Sequence, residues 1–320
     1  MNLSKKSNSI IIAIGEAGEN IVKILDGKVN SDYLFIKRNG LIDEYSGHTI
    51  KVDVENILNP SPHMIRKVFL EFEDKLLEYI QNKKSIIIIG NLASSFGSAI
   101  LPILGKSLKN HGINQVVCFV ILPFSFEKLR LFRSGVSLKL LAKSIKNLVV
   151  IDNSAIQRNE IEVQIKEYYE TINQAVSDII IESFNKCFPS DLNMISTNLN
   201  TKCNLGEAFI DTIASMTNRI DISDIEKCSL YLYGESTDIT SVRNIMESTN
   251  FIMPHSNNDV NIIGIKKQQT RCHIIVNTGM QFISSYDPLD KLISKKNILD
   301  FEPEIAIAEE VNLKIIKNLE

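Results

Sequence analysis

The sequence predicts an α/β protein in which a mostly parallel sheet makes up the first half and a smaller α+β unit the second. Two observations support this prediction. Through the first 160 residues, apolar runs of strand length such as Ser9–Ile14 and Ser85–Ile89 alternate with amphipathic segments of helical period. Strands that alternate with helices build right-handed crossover units and therefore parallel sheets. After about residue 190 the order changes to strand, helix, strand, strand, which favours an α+β unit.

The predicted strands of the first half are almost continuously apolar, as expected of strands covered on both faces. They are Ser9–Ile14, Tyr33–Ile36, Ser85–Ile89, Val116–Leu122 and Leu148–Ile151. Between them the helical pattern predicts a helix after Gly15, a long helix from His63 to Gln81, one that carries Pro102, and a basic one from Lys128 to Lys146.

A longer helical pattern from Glu160 to Phe188 predicts a spacer helix between two domains. We therefore expect a first domain at residues 1–160, a central helix at 161–188, an α+β domain at 189–290 and a C-terminal extension or tail at 291–320. The elements predicted for the second domain are strands at Ser229–Tyr233, Asn261–Ile265 and His273–Val276, with a helix at Ser241–Asn250.

Composition argues against several classes of protein. The net charge is −3 over 320 residues, so nucleic acid is not an expected partner. The five cysteines form no CxxC pair and the five histidines show no ligand spacing, which argues against a disulfide framework and a metal site. No apolar run approaches 18 residues, so we expect a cytoplasmic protein without direct membrane insertion.

Two glycine-containing turns each join a buried strand to a helix. The first is Gly15-Glu-Ala-Gly18-Glu-Asn20, and glycines at such a turn let the backbone and a helix N-terminus approach a phosphate. The same turn is equally expected where glycine only permits close packing of strand and helix, and Glu16 and Glu19 have the wrong charge for a phosphate. The second turn runs from Gly90 to Ala99.

The chain resembles the FtsZ/tubulin superfamily in several segments that occur in the family's order. Pro123-Phe-Ser-Phe-Glu127 resembles the family's PFSFEG segment, and Ala93–Ala99 lies where the family has its GGGTGTG signature. Further segments resemble the family's GGNPE, IPND, GGxDLT and VTVIATG stretches; they are Asn59-Pro60, Val150–Asn153, Ser229–Thr240 and Ile274–Gly279. The resemblance spans Ser9 to Gly279 and implies an FtsZ/tubulin-like fold with a nucleotide-binding domain, a central helix and a smaller domain.

The resemblance also implies a binding site for GTP or GDP. Positions that match the family's phosphate loops, ribose-contacting acid and guanine-contacting pair are Gly15, Gly18, Asn20, Gly97, Ser98, Glu127, Tyr169 and Asn173. Tyr169 and Asn173 are four residues apart and so share one side of a helix, although an ordinary core aromatic with a polar neighbour would fit the same spacing. Phe96, with serines in place of glycines, is expected to crowd the γ-phosphate region or to redirect the loop.

Hydrolysis is expected to be weak or absent. The family's NxDxxD loop places two acids in the nucleotide pocket of the next subunit, and the matching positions here are Asn193, Ile195 and Asn198. Asn198 is the one weak catalytic candidate, because an isoleucine cannot orient water. The nearest acids, Asp191 and Glu207, are interpreted as solvated loop residues.

The leading hypothesis is a filament-forming or filament-associated, cell-division-type protein with weakened GTP binding. It would associate with itself or with another FtsZ-like protein, and its C-terminal tail would recognise an adaptor. One alternative is an active GTPase with substitute residues, such as Asn198 and Asp191. The other is a Rossmann-type dinucleotide-binding protein built on Gly15 and Gly18, in which Lys37 and Arg38 stand where an acid is expected.

Overall fold

A computed structural model describes residues 7–38, 47–53, 60–156, 163–184, 191–234, 238–264 and 269–286. The strands are β1 (Ser9–Ile14), β2 (Asp32–Lys37), β3 (His48–Lys51), β4 (Ser85–Asn91), β5 (Val116–Leu122), β6 (Asn147–Asp152), β7 (Asp191–Thr197), β8 (Lys227–Gly234), β9 (Asn257–Gly264) and β10 (Arg271–Asn277). The helices are α1 (Gly15–Leu25), α2 (Pro62–Leu70), α3 (Glu73–Ile80), α4 (Ser95–Asn110), α5 (Lys128–Ala142), α6 (Asn153–Ile156), α7 (Ile165–Ser183), α8 (Leu205–Thr217) and α9 (Ile239–Ile252). Short 3₁₀ helices span Ile222–Asp224 and Met280–Tyr286.

The strands form one twisted sheet in the order β3-β2-β1-β4-β5-β6-β7-β10-β8-β9. Strands β1 to β7 pair in parallel, β10 is antiparallel to both β7 and β8, and β8 and β9 are parallel again. The prediction of a mostly parallel α/β fold is therefore confirmed. The ladder between β6 and β7 joins strands from both predicted domains. The predicted boundary at residue 160 lies outside the described residues.

The sheet is covered by helices on both faces, so that each strand buries successive side chains in opposite layers. On β1, Ile10 and Ile12 contribute to one apolar cluster, while Ile11 contributes to the other. Helices α2, α3, α4, α5, α8 and α9 supply apolar side chains to the first cluster, and α1 and α7 to the second. This double burial explains why the parallel strands read as continuous apolar runs.

The single helix predicted from His63 to Gln81 is wrong, because two helices, α2 and α3, occupy this range. At the break, the N–H of Glu71 donates to the carbonyl of Val68 and that of Phe72 to Phe69, so the turn tightens to a three-residue spacing. Both helices still bury their apolar side chains on the same layer. The apolar spacing therefore continues across the break and could not reveal it.

Other differences lie in segments with weaker patterns. Strands β3 and β7 and helix α8 were not predicted from the sequence. The described part of the central helix is α7, and the predicted ends at Glu160 and Phe188 lie outside the described residues, as do Asn59 and the whole of residues 287–320. Within the described residues no helix is long and apolar enough to cross a membrane.

A buried polar cluster joins α7 to the second half of the sheet. The Oδ2 atom of Asp178 on α7 lies 3.0 Å from Nε of Arg271 and 3.2 Å from Nε2 of His273, both on β10. The Nδ1 atom of His273 lies 2.9 Å from Oγ1 of Thr197 on β7, and Gln174 donates to the other carboxylate oxygen of Asp178. A neutral imidazole satisfies both contacts when Nε2 carries the proton and the Thr197 hydroxyl donates.

Burial and the contacts within the cluster together set the charge states of His273 and Asp178. Burial lowers the pKa of His273 below the usual value of 6.5, although the hydrogen bond and charge of Asp178 act in the opposite direction. For Asp178, burial raises the pKa, but the contacts with His273 and Arg271 outweigh burial and leave the pKa below 3.8. The cluster thus consists of a neutral imidazole, a carboxylate and a guanidinium.

We expect the free energy of unfolding to fall as pH drops below about 6.5. The unfolded chain binds a proton at His273 there, while the folded chain holds the ring neutral, and the loss can reach about 1.4 kcal/mol per pH unit. Urea unfolding of the wild type and of His273→Gln at pH 7.5, 6.5 and 5.5 measures it. A shallower dependence in His273→Gln, with that of the exposed His63→Gln unchanged, is the expected result; equal slopes in all three would contradict it.

Candidate functional site

A pocket of about 260 Å³ opens at the carboxyl ends of β1, β4 and β5. It is lined by the strand ends Ile14, Asn91 and Ile121, by the first turns of α1, by Ser94, and by one side of α7. Strand β1 lies between β2 and β4 in the sheet. The chain passes from β1 to β2 on one side and later returns from β3 to β4 on the other side, so the strand order reverses at β1. In open parallel sheets, ligands bind in the crevice at such a switch point.

The first turn of α1 forms one wall of the pocket. Gly15 has φ +66°, a conformation that side chains disfavour, and this lets the chain pass from β1 into α1 without a linker. Ile14 cannot cap the helix with its side chain, so the first N–H groups of α1 remain available to an anionic ligand. Glu16 lines the same wall and opposes a negative charge there, whereas Asn20 adds a neutral amide.

Gly18, predicted to contact phosphate, does not line the pocket. A Cβ atom on Gly18 would lie 2.8 Å from the carbonyl oxygen of Ile89 and 3.0 Å from backbone atoms of Ala13. Gly18 therefore permits α1 to pack closely on β1 and β4. This is the packing role that the sequence left open for this turn.

The segment in the place of the family's signature loop is the capped start of α4. Ser94 is the N-cap residue, and its Oγ accepts the N–H of Gly97 at 2.9 Å. A Cβ atom on Gly97 would lie 2.0 Å from the carbonyl oxygen of Asn91, so the first turn packs tightly on the end of β4. Ser98 is fully buried and donates to the carbonyl of Ser95. Gly97 and Ser98 are thus held inside the protein, away from the pocket lining.

Asn91 and Ser94 line the pocket at the place predicted for Gly97 and Ser98. The Ser94 side chain is exposed, and the Oδ1 atom of Asn91 accepts the N–H of Ala93. Sequence reasoning missed both residues, because alignment on the family signature directed attention to the glycine and hydroxyl positions further along. The signal that could have identified Ser94 is its position as a hydroxyl residue three before Gly97, which suits a helix N-cap.

Phe96 is buried, and its ring lies against the turn after β1. A Cβ atom on Gly15 would be 3.6 Å from Cδ1 of Phe96. The ring therefore fills the space between the two turns, and the backbone around it follows a helix. The Phe96 ring and the helical backbone around it both reduce the space between the two turns, where a glycine loop would contact a ligand.

Tyr169 and Asn173 line the pocket from α7, one turn apart and with Ile172 between them. Tyr169 is 41% exposed, so it is not the core aromatic of this helix; that position belongs to Tyr168, which is buried and donates its hydroxyl to the carbonyl of Asn153. The Tyr169 ring also lies 6.1 Å from that of Phe124. An exposed aromatic face beside an amide can hold a planar, hydrogen-bonding ring.

Glu127 lies outside the pocket lining and is engaged locally. Its Oε2 accepts the N–H of Phe124 at 3.1 Å, and its Oε1 forms an ion pair with Arg130. Arg133 donates to Oγ of Ser95 at the start of α4, next to the Ser94 wall of the pocket. Of Arg130 and Arg133, Arg133 is therefore the one beside the pocket.

The three positions matched to the hydrolytic loop belong to the protein interior. Asn193 and Ile195 lie within β7, and Asn198 follows it; each is at most 1% exposed. The Oδ1 atom of Asn198 accepts the N–H of Cys272, and its Nδ2 donates to the carbonyls of Asn200 and Thr270. This side chain therefore links the end of β7 to β10. Its role in hydrolysis stays a prediction, and these hydrogen bonds argue against it.

The nearest acids differ from the interpretation as plain loop residues. Glu207 lies in the first turn of α8 and forms a capping box with Asn204, each side chain accepting the other residue's backbone N–H. Asp191 is the first residue of β7. Over the described part of the chain, no group of three or more His, Cys, Asp or Glu residues could hold a metal ion.

Comparison with known proteins gives matches by structure but none by sequence. No protein-family model matches the sequence, and no curated protein matches it. Solved structures do match. An FtsZ dimer from M. jannaschii is 19% identical with a TM-score of 0.67, covering 87% of this chain and 90% of that chain.

Two further structures match over similar lengths. CetZ2 from Haloferax volcanii, solved as a GTPγS-bound protofilament, is 16% identical with a TM-score of 0.63 and covers 89% of this chain and 99% of its own. TubZ of Clostridium botulinum phage c-st is 13% identical with a TM-score of 0.55 and covers 91% and 100%. This chain therefore shares the fold of FtsZ, CetZ and TubZ.

Proposed function

We propose that this chain is an FtsZ-like cytoskeletal protein that forms or joins filaments, binds a guanine nucleotide weakly, and hydrolyses it slowly or not at all. The observation that carries the proposal is the pocket at the carboxyl ends of the parallel strands. Gly15, Asn20, Tyr169 and Asn173, four of the eight positions predicted for nucleotide, all line it. The other four do not.

The two sides of the pocket differ in how well they suit a nucleotide. The α7 side offers the exposed Tyr169 face and the Asn173 amide to a base. On the phosphate side, Glu16 is acidic, and none of the described lining residues is Lys or Arg. This asymmetry favours recognition of the base and weakens retention of the phosphates.

The interior position of Asn198 and its neighbours on β7 supports the proposal that hydrolysis is slow or absent. A residue that positions water for the pocket of another subunit must be accessible to that subunit, whereas Asn198 is fully buried and hydrogen-bonded. For the alternative of a GTPase with substitute residues, the burial of Asn198 argues against that residue as the one that orients water. No structural observation favours the dinucleotide-binding alternative, which would leave the second half of the sheet without a role.

Self-association is supported by analogy. Solved structures of similar fold include an FtsZ dimer and a CetZ2 protofilament. A head-to-tail contact that does not close would give an open filament of this chain or a mixed one with another FtsZ-like protein. We also propose a division into domains at residues 1–160, 161–188 and 189–290, an adaptor-binding tail at 291–320, and a cytoplasmic location.

Tyr169→Ala is expected to weaken binding of fluorescently labelled GDP about tenfold, because the aromatic face beside the base is lost. Fluorescence anisotropy measures the dissociation constant. Phe251→Ala is the matched control, since Phe251 is an exposed aromatic on α9 outside the pocket lining. If both variants bind as the wild type does, the base is not held by Tyr169.

Glu16→Gln is expected to strengthen GDP binding about threefold, and more at low salt, because it removes a negative charge beside the phosphates. The same anisotropy titration, repeated at two salt concentrations, measures the change. Glu71→Gln removes an exposed charge on the far end of α2 and should leave the affinity unaltered. An unchanged affinity for Glu16→Gln would show that the phosphates do not approach α1.

Phosphate release and sedimentation together test the filament proposal. We expect oligomers whose size increases with protein concentration, and phosphate release from GTP close to background. Release in the wild type that a folded Asn198→Ala variant loses would instead support the GTPase alternative. A chain that remains monomeric at every concentration, with and without GTP, and joins no filament of another FtsZ-like protein would overturn the proposal.

A further inference from the structure

Helix α5 and the residues after it carry an unusual concentration of positive charge. Residues 128–146 contain six cations and no acid, in a chain whose net charge is −3. The six are Lys128, Arg130, Arg133, Lys139, Lys143 and Lys146. A basic, solvated helix face is the ordinary explanation of such a run, but the apolar residues around it do not fit that explanation.

Large apolar side chains are exposed on the same part of the molecule. Leu129 is 84% exposed and Phe132 46% exposed on α5, and Phe126 just before the helix is 63% exposed. We call these three side chains and the six cations the α5 surface. An exposed apolar group rimmed by charge is typical of a contact surface.

The same chain contains a segment of complementary composition. Residues 297–313 include five acids and no cation: Asp300, Glu302, Glu304, Glu309 and Glu310. Apolar residues stand between these acids and just after them; they are Phe301, Ile305, Ile307, Val311 and Leu313. The segment therefore combines a charge opposite to that of the α5 surface with apolar side chains that could contact Leu129, Phe132 and Phe126.

The described chain ends close to this surface. The 3₁₀ helix Met280–Tyr286 packs against α5 and β7, and the hydroxyl of Tyr286 donates to Asp152 at the end of β6. Ten residues, 287–296, separate Tyr286 from the acidic segment. Ten extended residues span about 33 Å, whereas the fifteen residues of α5 make a helix of about 22 Å, so the tether is longer than the helix.

We propose that residues 297–313 dock on the α5 surface of the same molecule. This inference stands independently of the proposed function, because it uses neither the nucleotide nor the filament. Phe126 stacks on Phe124 at 5.1 Å, and Phe124 contacts Tyr169 of the pocket wall. The docked segment therefore borders the mouth of the pocket.

Zero-length carbodiimide cross-linking of the full chain tests the proposal, since this reagent joins carboxylates to amines that are in contact. We expect cross-links from Glu302, Glu304, Glu309 or Glu310 to lysines of α5. A mixture of isotope-labelled and unlabelled protein separates links within one chain from links between chains. The yield should fall at high salt, because the pairing is electrostatic.

Two sets of variants sharpen the test. Leu129→Ser with Phe132→Ser keeps every reactive amine and is expected to lower the yield at least about fivefold, because the apolar contact is lost. Glu71→Gln with Glu78→Gln, which removes two exposed acids on another part of the surface, should leave the yield unchanged. Circular dichroism confirms that each variant is folded.

Three results would overturn the proposal. Links to α5 that occur only between chains would show that the occupant is a second copy. Full-length protein that cosediments with vesicles of phosphatidylcholine and phosphatidylserine through Leu129 and Phe132, without links from the acidic segment, would identify an anionic lipid surface. Links from the acidic segment to lysines elsewhere, with none to α5, would place the segment on another face.

Discussion

The positions of the two turns that line the pocket depend on the parallel ladder between β1 and β4. Its register pairs Ile14 with Gly90, so the two strands end side by side and the turns that follow them start as neighbours. Both faces of the ladder are buried, which prevents a slip of one residue because every side chain would then change layer. The crevice between the turns follows from this register.

The two turns differ in structure, and this difference explains why the two sides of the pocket differ. After β1, Gly15 keeps a backbone conformation that leaves the first N–H groups of α1 open. After β4, the chain enters α4 almost at once, with Ser94 as its cap and Phe96 filling the gap beside Gly15. One half of the site has the open helix N-terminus that suits an anion, and the other half is ordinary helix packing.

Much of the fold was predictable from the sequence, because parallel strands buried on both faces produce long apolar runs. Strand β7 escaped prediction because Asn193, Ser196 and Thr197 interrupt its apolar residues. The Asn193 side chain donates to a carbonyl of β6 and that of Thr197 contacts His273 on β10, and the sequence pattern shows neither contact. The break between α2 and α3 changes the backbone hydrogen bonds but not the spacing of the apolar side chains, so the sequence pattern does not reveal it.

The site was predictable only where a side chain acts locally. Tyr169 and Asn173 share a helix face, so their spacing alone places them together. Gly97 and Ser98 could not be assigned from the sequence, because whether a small residue faces a ligand or a strand depends on the tertiary position of α4. Gly18 has the same ambiguity, and contact with Ile89 and Ala13 resolves it.

The cluster of Asp178, Arg271 and His273 also constrains how this chain can diverge. Removing one member of a buried ion pair leaves the other charged and unpaired, which costs about 3–5 kcal/mol, whereas replacing the whole group with apolar residues of similar volume can be neutral. Related sequences should therefore show correlated substitution at these positions, separated by more than ninety residues. Such covariation would show that the contact between α7 and β10 is preserved as one unit when the sequence changes.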